Sequence, residues 1–134
     1  MGQESVIPGR DPDMTGPELR TIREQCGLTL ADFGDLVGVA DKSVRGWETA
    51  TDLRVPVDVA ETARALHLQL LDKKTEILSD FQFAAPGDEV VLKLYRNSHP
   101  GLTETDIAVH NAAAGLAFHD LIDDGISVWM VWER

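Results

Sequence analysis

The twenty residues from Thr29 to Glu48, TLADFGDLVGVADKSVRGWE, constrain the fold of this 134-residue chain more tightly than any other stretch. Phe33, Leu36 and Val37 recur at helical spacing, and Gly38 then breaks the pattern with a residue that takes a left-handed turn at no steric cost. Val39 follows as an apolar plug for the angle between two helices. A second helix starts near Ala40 or Asp41, with Val44 and Trp47 three apart as its inward stripe. At about 100° per residue, Lys42, Arg45, Gly46 and Thr49 fall on the opposite, outward face. Two short helices joined at a glycine in this way read as a helix-turn-helix.

The flanks supply what such a unit leans on. Leu19, Ile22 and Cys26 repeat at three and four, which predicts a helix over 16–26 with Pro17 in its first turn and Gly27 just beyond its end. Pro56 and Asp58 open another helix with Val59, Ala63, Leu66 and Leu70 along one side. Residues 14–66 are thus expected to form a helical DNA-binding domain. The outward face of the second helix matches the position that enters a major groove in helix-turn-helix proteins.

Three runs carry a family resemblance: Leu19-x-x-Ile22-Arg23-x-x-Cys26-Gly27-Leu28-Thr29, Ala31-x-Phe33-Gly34-x-Leu36-Val37-Gly38-Val39, and Val44-x-x-Trp47-Glu48. The chain resembles the lambda-repressor-like (Cro/C1-type, XRE) helix-turn-helix regulators; by the Trp47-Glu48 pair, a proline some eight residues later and a C-terminal tail that starts with a strand, it is similar within them to the anti-CRISPR-associated autorepressors. The resemblance implies a five-helix domain, double-stranded operator DNA as partner, an ion pair between Arg23 and Glu48, and base-reading positions at Asp41, Lys42 and Gly46. Thr29, Ser43, Arg45, Thr49 and Arg54 complete the expected DNA-binding set. Three positions depart from the family pattern: Ala40 lacks a capping hydroxyl, Leu30 is apolar where a phosphate contact is common, and Gly46 has no side chain to read with.

Charge pulls the other way. The net charge is −11, with contributions of −2 from residues 1–13, −3 from 14–66 and −6 from 67–134. Phosphate contacts supply most non-specific affinity, so weak, steeply salt-dependent binding to random DNA is expected, with Lys42, Arg45 and Arg54 as the local basic patch. A composition of 43% hydrophobic and 26% charged residues is that of a globular chain. No apolar run approaches a membrane span, the N-terminus has no basic-then-apolar signal pattern, and a single cysteine excludes an intrachain disulfide. A reducing cytoplasm is the expected setting.

Along the chain, residues 1–13 read as a flexible arm, and 67–88 as a connecting helix and turn. Residues 89–134 read as a β-α-β dimerisation domain, so the expected fold class is mainly α with a small α+β C-terminal part. Glu89 to Tyr95 alternates as a strand, Thr103 caps a helix that Gly125 ends, and Ile126 to Trp132 is a second strand. Two strands are marginal alone, and apolar edge strands seek a partner. A second copy of the chain is therefore expected at Leu92, Leu94, Ala112, Gly115, Leu116, Val128, Trp129 and Met130.

Enzymatic chemistry finds little support. His67, His99, His110 and His119 invite a metal or catalytic reading, and Asp106 lies four residues before His110. No HExxH, CxxC or glycine-rich phosphate loop accompanies them. Capping, solvated or partner-contacting roles account for them better, so no catalytic residue, metal or cofactor is expected. Trp47 is expected in the core by its phase with Val44, and Cys26 is expected there too. The leading expectation is a sequence-specific dimeric repressor, and the alternative is an antitoxin or protein-interaction module whose acidic C-terminal part binds a protein partner.

Overall fold

A computed structural model describes residues 14–50, 54–96 and 98–133; the arm expected at 1–13 lies outside the described residues. The chain is mainly helical with a small two-stranded parallel sheet. Its elements are α1 (Gly16–Gln25), α2 (Leu30–Val37), α3 (Asp41–Thr49), α4 (Val57–Ser79), β1 (Glu89–Leu94), α5 (Glu104–Asp123) and β2 (Ser127–Trp132). No helix among the described residues is long and apolar enough to cross a membrane.

Local signals account for most boundaries. α1, α2 and α5 each begin with a reciprocal capping box, Thr15 with Glu18, Thr29 with Asp32 and Thr103 with Asp106, so backbone donors without helical partners are satisfied at three starts. α1 stops at Cys26, one residue before the glycine that turns left-handed. α3 starts at Asp41 from an N-cap, Ala40, that makes no side-chain hydrogen bond, and Asp41 instead places a negative charge in the positive first turn.

Among the described residues one apolar cluster runs from Met14, Leu19 and Phe33 through Val59, Leu66 and Leu70 to Leu92, Ala113 and Leu121. α4 is the shared wall. Its N-terminal half packs on α1, and it lies along α5 with Ala63, Leu66, Leu70 and Ile77 buried. A salt bridge of 2.8 Å between Lys74 and Asp120 ties α4 to the far end of α5.

β1 and β2 pair in parallel with Val90 opposite Val128 and Leu92 opposite Met130, and α5 crosses over between them. Parallel strands require such a crossover. The even-numbered side chains Val90, Leu92, Leu94 and Val128 turn toward the core, whereas Val91, Trp129 and Val131 look outward and are exposed. Leu92 is corrected by this arrangement: at 3% exposure it belongs to the core of its own chain and has no surface left for a second copy.

Candidate nucleic-acid interface

The unit from α2 to α3 is held by close backbone packing. Gly38 ends α2 at φ 77°, ψ 31°, where a β-carbon would be strained, and Val39 N donates 2.9 Å back to Gly34 O. Gly34 makes that return possible. A β-carbon there would lie 2.6 Å from Val39 O, too close for any side chain. Phe33 and Val44 fill the angle between the helices with no solvent exposure, and half-buried Val39 and Trp47 pack around them.

α1 braces α3 from behind. Arg23 Nε donates 2.7 Å to Glu48 Oε2 and Arg23 Nη2 donates 3.0 Å to Glu48 Oε1, a forked pair between side chains almost wholly removed from water. Arg23 Nη1 donates 2.9 Å to Leu28 O, so the same guanidinium fixes the loop that leads into α2. The bond to Glu48 raises the pKa of Arg23, against the opposing effect of burial and with help from the charges of Glu48 and Glu24. Gly16 completes the contact: a β-carbon there would collide with the carbonyls of Trp47 and Glu48, so α1 can approach the end of α3 only through a glycine.

With Val44 and Glu48 turned inward, Asp41, Lys42, Ser43, Arg45, Gly46 and Thr49 are all exposed. They form one surface of mixed charge, two cations and one acid. Thr49 Oγ1 donates 2.9 Å to Arg45 O within the helix. Nothing lies within 4 Å of the position a Gly46 β-carbon would take. Thr29 is the exposed cap of α2, its Oγ1 accepting from Asp32 N at 3.0 Å. Arg54 is exposed just before α4.

The residues expected at a dimer face are divided. Leu92 is core, and Leu94, Val128 and Leu116 are half-buried against it. Ala112 packs within its own chain, its β-carbon 3.9 Å from the position a Gly27 β-carbon would occupy. Gly115 has open space beside it, and Trp129 and Met130 are exposed at 61% and 39%. Among the histidines, His110 Nε2 donates 2.9 Å to Lys93 O and His99 Nδ1 lies 2.9 Å from Pro100 O. Tyr95 lies between their rings, with centroids 4.6 and 4.7 Å away. These contacts with β1 had no signal in the sequence, because they depend on where α5 lands.

Cys26 is buried at the C-terminal cap of α1, its Sγ 3.9 Å from Leu66 O, and burial pushes its thiol pKa up. No protein-family model matches the chain, and no curated protein matches it.

Proposed function

We propose that the protein is a sequence-specific regulator of double-stranded DNA, a repressor acting at its own or a neighbouring operator in the cytoplasm. α2 and α3 serve as the helix-turn-helix and α3 as the recognition helix. A single observation carries the reading: α3 is locked from behind by the buried Arg23 to Glu48 fork while its opposite face presents Lys42, Ser43, Arg45, Gly46 and Thr49 to solvent. A rigid helix with a short polar face is what base-edge reading in the major groove requires. Lys42 and Arg45 are the cations of that face, each suited to guanine O6 and N7.

The test is footprinting of the full chain across the DNA flanking its own coding region. Protection of a discrete two-fold-symmetric site, lost in Lys42→Ala and Arg45→Ala variants of unchanged melting temperature, is expected. Normal protection by both variants overturns α3 as the reading helix, and no protected site overturns the function. The second reading, a protein-interaction module, is favoured by the excess of acids in residues 67–134. It requires that the protein alone leave the DNA unprotected.

A further inference from the structure

The two edges of the small sheet are treated differently by the rest of the fold. In a parallel ladder alternate residues turn both backbone groups toward the neighbouring strand. Ser127 N donates 2.9 Å to Asp88 O and Glu133 N donates 2.6 Å to Leu94 O, so the odd-numbered residues of β2 face β1. Val128, Met130 and Trp132 therefore turn their backbone groups to the outer edge. On β1 it is Val91, Lys93 and Tyr95 that point outward. There α5 closes the edge: His110 Nε2 bonds Lys93 O, while Asn111 Oδ1 accepts from Tyr95 N at 2.9 Å and Asn111 Nδ2 donates 2.8 Å to Tyr95 O. No described side chain does this for β2.

Within its own sequence β2 also lacks the devices that protect natural edges. Its sequence, SVWMVW, has no proline, no lysine and no charge, and Trp129, Met130, Val131 and Trp132 are all exposed. A neighbour that extends the sheet sideways takes up the free backbone groups of this edge, and its side chains pair with the exposed ones beside them. The missing charge matters as well, since two chains of −11 can then meet along this seam without like charges facing each other across it.

We propose that β2 pairs antiparallel with β2 of a second copy, about a two-fold axis normal to the sheet at Met130, giving one four-stranded sheet in the order β1-β2-β2-β1. The strand is its own complement in that register. Val128 faces the partner's Trp132, Trp129 faces the partner's Val131, and Met130 faces its own symmetry mate. Each tryptophan thus meets a β-branched side chain, a favourable cross-strand pair. The register also bonds the three outward residues Val128, Met130 and Trp132 to one another's mates. Centring on Trp129 would instead set Trp132 against Ile126, whose N–H is already committed to Leu121 O. Even-numbered side chains lie on the α5 side in both copies, so both α5 helices cover the same face. The open space beside Gly115 lies on those helices.

The surface is independent of DNA binding and is tested without DNA. Light scattering on the full chain is expected to give the mass of a dimer. Met130→Lys, which sets two ammonium groups across the axis, is expected to halve that mass with the helical circular dichroism unchanged, while Val91→Lys on the outer face leaves the dimer intact. Because a lysine variant that failed to fold would decide nothing, Met130→Cys is the companion. Directly paired residues bring their Cα atoms to about 5.5 Å, inside the disulfide range, so mild oxidation is expected to link this variant across the axis and to leave Val91→Cys unlinked. A monomeric wild-type chain, a dimer broken by Val91→Lys but not by Met130→Lys, or a Met130→Cys variant that stays unlinked overturns the proposal.

Discussion

At the scale of single residues the molecule uses its helical glycines in two opposite ways. Gly16 and Gly34 are required by backbone that passes where a side chain would be, so alanine at either is expected to destabilise the fold. Gly46 lies in the middle of α3 with open space beside it, and a helix-interior glycine costs about 1 kcal/mol relative to alanine. Its own fold gains nothing from it. Gly46→Ala is therefore expected to raise the melting temperature, and, since the proposed function sets Gly46 on the face of α3 that meets the duplex, to weaken operator binding. Calorimetry and a titration of labelled DNA read the two effects separately. Glu48→Ala leaves the Arg23 guanidinium buried beside nothing but Leu28 O and the more distant Glu24 carboxylate, 3.9 Å away. Breaking one side of a buried pair costs about 3 to 5 kcal/mol, which chemical denaturation measures. Cys26 gives a pH dependence. Its folded pKa is raised, so above the ordinary thiol pKa the unfolded chain ionises while the folded one keeps its proton. Stability is expected to fall as pH rises through that range, and to do so less in Cys26→Ala once the cost of the lost packing is subtracted.

At the scale of elements, the start of α5 was legible from its capping threonine, Thr103, and that of α1 from Pro17 in its first turn, whereas the reciprocal capping boxes emerge in the structure. Thr-x-x-Glu or Thr-x-x-Asp precedes an apolar run at α1, α2 and α5, and in each case the reciprocal bonds form. Thr103→Ala is expected to cost about 1 kcal/mol, the ordinary value of a lost N-cap, measurable as a shifted urea midpoint. The same substitution at Ala40 does not exist to be made: α3 begins without a side-chain cap, and Ala40→Ser is expected to stabilise by a similar amount. The faces of β1 were also legible from alternation. What its alternation left open was which chain would cover Leu92, because a two-residue period names a face and says nothing of the neighbour against it.

At the scale of the whole molecule, α4 decides how the parts relate. Its buried side chains Val59, Ala63, Leu66, Leu70 and Ile77 belong to the one apolar cluster that also holds Leu92, Ala113 and Leu121. Deleting residues 89–134 strips α5 from α4 and opens that cluster to water, at roughly 25 cal/mol for each Å² of apolar surface exposed. The truncated chain is expected to lose melting temperature as well as any dimer, a combination that light scattering and thermal unfolding distinguish from simple loss of a separate module. The charge distribution belongs to this scale too. With an excess of acids on both sides of α4 and few cations on α3, binding to random DNA is expected to be weak at physiological salt.

The sequence by itself determined what depends on near neighbours along the chain: the helices, their caps, the left-handed turn at Gly38, and the β-α-β order of residues 89–132. These follow from the periods 3.6 and 2 and from residue types that satisfy or interrupt backbone hydrogen bonds within three or four positions. Only the tertiary structure decided that Gly16 and Gly34 are close-approach points, that α4 is a wall shared by α1 and α5, that Leu92 is covered by its own chain, and that His110 and Asn111 close the β1 edge while no described side chain closes that of β2. Each joins residues far apart in sequence. Pattern and propensity carry no term for such a meeting, which is set by the packing of preformed elements against one another.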